Sequence, residues 1–458
     1  MENFSHLLLE IKNWVWSAPL LILLAGTGVY LTILLKGMQF RYLGYALRQV
    51  FTPQRKPSEG DISQFEALMT SLAGAIGTGT IVGVATAVAI GGLGSMFWMW
   101  IAALLGMATK YAESLLAVKF RSLDARGEMT GGPMQYMEKG LGWKWMAVLF
   151  AIFGAIAAIG TGNLVQVNAI AEAVSHVWSI NPWFTGFTLA ILTGLVILGG
   201  VRSIGQVAGI LVPLMALFYL IAGLLIIILH ADRLPQALST IISCAFGGQA
   251  AVGGFVGAGV MMSIQMGVSR SIFSNEAGLG ISSMAAAAAK TDCPGRQAMI
   301  TMTGALMSTI IVCSITGLVL AVTDVLGKTT DSGIVLNGAA MAIYAFDSTL
   351  PGGAYIVSIG LILFAFSTVV AWAYYGEKCV EYLFGERSIA IYRCLYTLIV
   401  IPGAALKMDV AWHMADIMNG LMAIPNLIAL LAMSGLIAAE TKSFLEIVKR
   451  EKNYIEEY

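Results

Sequence analysis

A stretch near the start of the chain, SLAGAIGTGTIVG at residues 71–83, places four glycines in an uncharged apolar segment. An interior glycine costs a helix about 1 kcal/mol relative to alanine, so the stretch favours a helix break at Gly77, Thr78 and Gly79. The N–H groups at the start of a half-helix, together with its positive dipole end, suit a carboxylate. The freed carbonyls suit an ammonium group or a hard cation, which prefers oxygen ligands.

A second glycine-rich stretch, FGGQAAVGG at residues 246–254, interrupts a later apolar segment. Its backbone is predicted to open opposite the first break and to offer carbonyls to an ammonium group, at Phe246, Gly247, Gly248 and Gln249. For the first stretch the alternative is close helix packing through Gly79 and Gly83, because GxxxG is a common contact motif in membrane helices. The pairing of two interrupted segments favours the breaks.

The composition indicates that membrane helices carry these stretches. Of the 458 residues, 58% are hydrophobic and only 11% are charged, whereas soluble proteins have about 25% charged residues. The net charge is zero and the sequence has no basic patch, which excludes nucleic acid as a partner. The apolar segments that could cross a bilayer, which takes about 20 residues, are 18–37 and ten core spans at 64–90, 95–118, 146–175, 184–200, 207–230, 236–273, 297–323, 354–375, 388–406 and 412–438. The sequence therefore predicts an all-α integral membrane protein with 11 transmembrane helices.

The two interrupted segments are core spans 1 and 6, so each half of five spans would begin with a discontinuous helix. Because five is odd, the second half is inverted relative to the first, which is typical of secondary transporters that bind substrate at the membrane midplane. The predicted organisation is an N-terminal region with an interfacial helix, the extra span and a cytoplasmic linker, then two inverted five-helix repeats, then a cytoplasmic tail: 1–60, 61–235, 236–440 and 441–458.

The basic residues predict how the chain is oriented. If the segment between 37 and 64 is cytoplasmic, all but four of the 26 lysines and arginines fall on the cytoplasmic side, with Arg270 counted among them. The four outside are Lys12, Arg233, Lys328 and Lys407. We therefore expect a multi-pass cell-membrane protein with its N-terminus outside and its C-terminus in the cytoplasm.

Few polar side chains in the predicted spans are available to bind a substrate. The span centres carry almost no charge, since Lys110 and Glu113 fall near the end of their span, and charge inside a membrane is costly. A small zwitterion with no net charge fits this inventory. Asn163 and Gln166 share a helix face at i, i+3, where either could reach the substrate or could bond to another helix. Three aromatic residues are candidate gates, although an isolated aromatic residue more often packs in the core: Phe246, Phe273 and Trp372.

Three stretches resemble the sodium:alanine (alanine or glycine:cation) symporter family. They are GGLGSMFWMWIAALLG at 91–106, GMATKYAE at 106–113 and SNEAGLG at 274–280, with Ser95 where Gly or Ala is expected. The resemblance covers nearly the whole chain. It implies the leucine-transporter-like five-plus-five fold of the amino acid–polyamine–cation superfamily and cation-coupled uptake of alanine or glycine.

The same resemblance implies a sodium site. In the superfamily, a shared site takes two hydroxyls from core span 8 and backbone carbonyls from the break in core span 1. In this sequence these ligands are Ser367 and Thr368 with the carbonyls of Ala73 and Ile76. Bonding of the two hydroxyls to the backbone of their own helix is the alternative role.

Other functions are less favoured by the residues. Proton coupling would use a carboxylate or lysine at the midplane, and the predicted spans offer none, so sodium is the expected co-transported ion. A passive channel is a second alternative, but channels usually rely on oligomeric symmetry around a pore. An enzyme is disfavoured because the sequence has no HExxH, no GxSxG and no cluster of histidines with carboxylates. The oligomeric state is left open.

Overall fold

The computed structural model describes residues 2–52, 58–247, 259–329, 333–406 and 409–456. Within these ranges the chain is helical apart from one antiparallel hairpin, in which β1 (Ser122–Leu123) pairs with β2 (Met129–Thr130). The all-α prediction is therefore confirmed.

The helices follow one another with short connections. The N-terminal group is α1 (Glu2–Val15), α2 (Ala18–Leu34), α3 (Met38–Arg41) and α4 (Leu43–Val50). The first predicted repeat holds α5 (Gln64–Ala75), α6 (Val84–Gly91), α7 (Gly94–Lys119), α8 (Pro133–Gln135), α9 (Lys144–Ala157), α10 (Val165–Trp178), α11 (Pro182–Ile197) and α12 (Gly200–Leu229). The remainder holds α13 (Leu234–Gly247), α14 (Val260–Asn275), α15 (Ser283–Ala287), α16 (Pro294–Ala305), α17 (Ser314–Val322), α18 (Gly338–Asp347), α19 (Gly353–Phe384), α20 (Ser388–Ala405), α21 (Asp409–Ala432) and α22 (Ser434–Glu456). Four segments are π-helical: Gly79–Gly83, Tyr136–Gly140, Ala158–Leu164 and Leu306–Cys313.

Eight of the described helical stretches are long and apolar enough to cross a membrane, and a bent pair raises the number to nine. Two more apolar helices, α11 and α13, are shorter than a bilayer requires by themselves. A polytopic membrane protein with about eight or nine apolar spans follows from these lengths. The number of 11 spans stays a prediction.

The bent pair contains the first glycine-rich stretch. Helix α5 begins with a capping box, in which the Ser63 hydroxyl accepts from the Glu66 N–H and the Glu66 carboxylate accepts from the Ser63 N–H. It ends at Ala75, after which Ile76 leaves the helical region with ψ of 80°. The chain becomes helical again in the π segment 79–83 and continues as α6, at an angle of 53° to α5.

The helices separate into inner and outer members of the bundle. In α7 and α19, 78% and 72% of the most apolar stretch is buried, against 39% in α12 and 33% in α20. The exposed residues of the outer helices are large and apolar, for example Ile210 and Ile228 on α12. These side chains would face lipid, so the bundle presents an apolar exterior while α5, α7 and α19 enclose its interior.

A second helix interruption lies opposite the first, but not where the sequence predicts it. Helix α14 ends at Asn275, and Glu276, Gly278 and Gly280 all have positive φ before α15 begins at Ser283. A residue in the left-handed region ends a helix, and glycine adopts that region without strain. The opening near the first break is therefore at 276–282, within the SNEAGLG stretch, rather than at 246–254.

Candidate functional site

One side-chain amide supports the break between α5 and the π segment. Gln166 Oε1 accepts a hydrogen bond from the Thr78 N–H at 3.1 Å, and Gln166 Nε2 donates to the Thr161 carbonyl at 3.0 Å. The next residue, Gly79, begins the second half-helix, whose first-turn N–H groups have no carbonyl of their own helix to bond. Gly79 is thus the start of a half-helix suited to bind a carboxylate.

The end of α14 provides the opposite polarity. Its last-turn carbonyls, like those of any helix C-terminus, lack partners within the helix and carry the negative end of the dipole. The Phe273 carbonyl is one of them, and a Cβ built on Gly79 would lie 3.4 Å from its oxygen. A half-helix N-terminus and a helix C-terminus therefore meet at close range, an arrangement that complements a zwitterion.

The hydroxyl pair on α19 meets the end of α5. Ser367 Oγ and Thr368 Oγ1 lie 3.3 Å and 2.9 Å from the Ala73 carbonyl oxygen, to which both can donate. Both are also within bonding distance of the Phe364 carbonyl of their own helix, at 2.8 Å and 3.1 Å. Three oxygens of the predicted sodium ligands therefore converge, and Ile76 follows three residues on, at the end of α5.

These residues surround a small pocket. It is lined by Gly74, Ala75, Gly77, Gly79, Thr161, Gln166, Phe273, Leu279, Thr368, Trp372 and Asn419. About 10 Å³ of it is open to the centre of a water molecule, roughly what one buried water needs. An amino acid would enter only if the walls moved apart.

Two of the predicted aromatic gates lie in the wall. The Trp372 indole Nε1 donates to the Gly74 carbonyl at 3.3 Å. The Phe273 ring is stacked on Trp412 with centroids 5.9 Å apart, and the Arg270 guanidinium lies 5.8 Å from the centre of the Phe273 ring. Phe273 therefore connects the pocket to charged residues further along α14.

Those residues form what we call the Asp416 cluster: Lys12, Trp16, Arg270 and Asp416. Asp416 Oδ2 lies 3.5 Å from Arg270 and 3.4 Å from the Lys12 ammonium. The Trp16 indole Nε1 donates to the Asp416 backbone carbonyl at 2.8 Å. The N-terminal segment is thus attached to α21 at the end of the bundle reached through Phe273 and Trp412.

The cluster corrects one step of the orientation argument. Arg270 was counted with the cytoplasmic residues, yet it shares a carboxylate with Lys12, which was counted outside. The reason is that the interruption lies after α14, so α14 leads from this end of the bundle to the pocket. Moving Arg270 leaves five basic residues outside, and the imbalance still favours the same orientation.

Replacing Asp416 with asparagine should destabilise the protein. Both charged side chains of the Arg270–Asp416 pair are at most 10% exposed, and removing one partner of a buried ion pair costs roughly 3–5 kcal/mol. The measurement is thermal unfolding of purified protein in detergent. The control is Glu10→Gln, since Glu10 pairs only with the exposed His6 and such pairs contribute little. Equal melting temperatures for the two variants would show that the Asp416 cluster does not stabilise the bundle.

Asn163 does not face the pocket. Its amide Nδ2 donates to the Tyr396 carbonyl at 2.8 Å, while Gln166, three residues later, lines the pocket. The expected common face is lost because Asn163 lies in the π-helical segment 158–164, whose wider turn changes the angle between successive side chains. Asn163 therefore bonds to another helix, the alternative that the sequence had left open.

Phe246 and Gly247 also lie away from the pocket lining. The Phe246 ring is 60% exposed and packs against Phe97 and Trp98, with centroids 5.1 Å and 5.8 Å apart. Gly247 ends α13, and a Cβ added there would meet no atom within 4 Å. Gly248 and Gln249 lie outside the described residues.

Sequence reasoning missed a charged group beneath the pocket. Glu113 Oε1 accepts from the N–H groups of Gly278 and Gly280 at 2.9 Å and 3.1 Å, and from Asn426 Nδ2 at 2.7 Å. The Lys110 ammonium donates to the Asn275 carbonyl at 2.7 Å. The expectation of an uncharged interior is wrong, because these two charges satisfy the backbone groups that the second opening leaves without partners.

Asn419 is a second residue that the sequence analysis missed. It lines the pocket from α21 and is 2% exposed, and its Oδ1 has no hydrogen-bond partner. A polar amide in the otherwise apolar segment 412–438 was the signal that could have identified it. Its unpaired oxygen adds an acceptor to the pocket wall.

An apolar helical bundle whose buried polar pocket lies between two helix interruptions is a membrane transport protein of the secondary-transporter type. The sequence profile of the sodium:alanine symporter family matches residues 1–457. The chain belongs to this family, which confirms the resemblance carried by its FWMW and SNEAGLG stretches.

Individual proteins agree with this assignment. The sodium/alanine symporter AgcS of Methanococcus maripaludis is 50% identical over 455 residues, which cover 98% of this chain and 99% of that protein. The putative sodium/proton-dependent alanine carrier protein YrbD of Bacillus subtilis is 37% identical over 433 residues, which cover 92% and 88%. Among solved structures, MhsT in complex with L-phenylalanine has a TM-score of 0.61 at 14% identity, over 84% of this chain and 93% of that one, which shows a common fold. Because the curated relatives are named as transporters and symporters, this chain is a secondary transporter and not an enzyme.

Proposed function

We propose that the protein is a symporter that uses a sodium gradient to take up small neutral amino acids, alanine or glycine, by alternating access. The observation that carries the proposal is the convergence of the Ser367 and Thr368 hydroxyls on the Ala73 carbonyl, beside the pocket at the helix break. The names of the relatives support alanine and sodium as substrates.

The amino acid would bind between the two helix ends. Its carboxylate would accept from the first-turn N–H groups at Gly79, and its ammonium would donate to last-turn carbonyls of α14 such as that of Phe273. Trp372, Phe273 and Leu279 bound the remaining space. This favours a side chain no larger than a methyl group.

The sodium ion would bind at the end of α5. Its proposed ligands are the carbonyls of Ala73 and Ile76 and the hydroxyls of Ser367 and Thr368, a set of neutral oxygens suited to a hard cation. The hydroxyl hydrogens, which lie toward carbonyls in this structure, would turn away when the ion binds. Because these ligands come from both α5 and α19, the ion would hold the break against α19 and so favour substrate binding.

The proposal includes the finer topology. We propose 11 spans in a five-plus-five inverted repeat with one extra N-terminal span, discontinuous core helices 1 and 6, an outside N-terminus and a cytoplasmic C-terminus. The first interruption is the 53° bend at residues 76–78, and the second would be the opening at 276–282. Cysteine labelling from each side of the membrane would test the orientation.

Uptake into proteoliposomes tests the transport function. With an inward sodium gradient, labelled alanine should accumulate above its external concentration, and replacing sodium with potassium should abolish accumulation. Equilibration without accumulation would indicate a passive channel. Accumulation driven by a pH gradient in sodium-free buffer would instead assign the coupling to protons.

A further inference from the structure

Glu276 is a buried carboxylate placed between the two helix openings. It follows α14 in the left-handed backbone region with φ of 59°, and it is 1% exposed. A Cβ built on Gly74, which lines the pocket, would lie 3.2 Å from Glu276 Oε1. The carboxylate therefore lies against the backbone of the first break, directly behind the pocket wall.

Neither oxygen of this carboxylate has a hydrogen-bond partner. The Trp372 indole and the Ser282 hydroxyl approach it, but neither makes a hydrogen bond of good geometry with it. Glu113, in contrast, accepts three hydrogen bonds on one oxygen. A buried ionised carboxylate without partners is costly, so Glu276 is the unsatisfied member of this region.

The titratable groups that face Glu276 come from two helices. Lys110 and Glu113 are on α7, and Tyr375 is on α19. The facing part of α5 contributes Thr70, Ser71 and Gly74, none of which titrates. The Lys110 ammonium donates to the Asn275 carbonyl and to Ser71 Oγ, which favours its charged form.

The charges of this group do not balance. Lys110, Glu113 and Glu276 are each 1% exposed, and with all three ionised their sum is one negative charge. An uncompensated buried charge costs several kcal/mol, so the closed structure should take up one more cation. Glu276 is the place for it, because Glu113 is already stabilised as a carboxylate by three donors.

A proton fits this place better than a metal ion. A hard cation takes several oxygen ligands and would have to lie near the Lys110 ammonium. A protonated Glu276 could donate to the Tyr375 hydroxyl, whose own hydrogen is directed at the Thr70 carbonyl. The Tyr375 oxygen and Glu276 Oε1 both lie 3.2 Å from the position of a Cβ on Gly74.

We propose that Glu276 binds a proton in this closed state and releases it to water when the half of the broken helix that carries Gly74 moves away. In the release step the carboxyl O–H bond breaks, the proton passes to water, and Glu276 is left as a carboxylate that water solvates. Proton exchange at Glu276 would then accompany the opening and closing of the pocket. This inference rests on the proposed transport cycle, and it adds a titrating group to it.

Infrared spectroscopy of the reconstituted protein tests the protonation state directly. At neutral pH and without substrate, the wild-type protein should show the C=O band of a protonated carboxyl group, and Glu276→Gln should remove it. Glu113→Gln is the matched control, since Glu113 is equally buried, and it should leave the band in place. A band that persists in Glu276→Gln, or that disappears in Glu113→Gln, would overturn the proposal. So would its loss from the wild type when sodium is added at constant pH, since the carboxylate would then be a sodium ligand.

Calorimetry of alanine binding tests the coupling to the pocket. In two buffers with different ionisation enthalpies the wild-type protein should give different heats, because binding shifts the protonation of Glu276, and Glu276→Gln should give the same heat in both. Buffer-dependent heats of equal size in the two proteins would refute the role of Glu276. Failure of the wild type to bind alanine would instead contradict the proposed substrate, so the two failures are distinguishable.

Discussion

Replacing Gly77 with alanine is expected to weaken alanine binding by roughly 10- to 100-fold. The added Cβ would lie 2.4 Å from Thr368 Oγ1 and 3.0 Å from Gln166 Oε1, closer than real contacts allow. Neither neighbour can easily move, because Thr368 is β-branched and Gln166 is fixed by bonds to Thr78 and Thr161. Overpacking typically costs about 1–3 kcal/mol, and each 1.4 kcal/mol is about a tenfold change in affinity.

The measurement is calorimetric titration of L-alanine in sodium-containing buffer, with circular dichroism to verify folding. Gly83→Ala is the matched control, since it makes the same change in the adjoining π segment. Its new Cβ would have no neighbour closer than 3.7 Å, the Arg270 Cδ. If both variants bind alanine equally, the break at Gly77 is a packing feature and does not form part of the site.

Thr368→Val is expected to raise the sodium concentration for half-maximal uptake by about 10-fold or more. Valine keeps the β-branched shape but removes the oxygen that lies 2.9 Å from the Ala73 carbonyl. An interaction between a neutral oxygen and a charged partner contributes about 1.5–3 kcal/mol, which corresponds to the expected change. Alanine affinity at saturating sodium should change much less, because the hydroxyl is assigned to the ion.

Ser358→Ala is the control for this experiment. Ser358 is on the same helix and fully buried, and its hydroxyl has no hydrogen-bond partner. Its removal should leave the sodium dependence as in the wild type. An equal shift in both variants would indicate a general effect on α19, and no shift in Thr368→Val would remove Thr368 from the ion site.

The position of the first break was predictable because its cause is local. Glycines at 74, 77, 79 and 83 weaken a helix wherever it packs, and the chain leaves the helix just after Ala75. The contact of Ser367 and Thr368 with this break followed from the family resemblance. Nothing in the spacing of the two segments brings them together.

The second opening was misplaced because glycine content alone does not locate a break. The stretch 246–254 is richer in glycine, but the opening beside the pocket is at 276–282. There two glycines with positive φ follow the left-handed Glu276, and Glu113 binds their N–H groups. A partner from another helix is what stabilises the opened backbone, and a linear sequence does not show that partner.

Composition and local backbone preference thus determined the class of the protein, since apolar length requires a membrane and clustered glycine requires an interrupted helix. Only the tertiary structure decided which polar groups belong to the site. It turned Asn163 toward Tyr396 through a π-helical turn and joined Arg270 to Asp416 and Lys12. It also buried Glu276 behind Gly74. The physical reason is that hydrogen bonds and charge pairing act through space between helices, whereas sequence patterns report only what neighbours along the chain prefer.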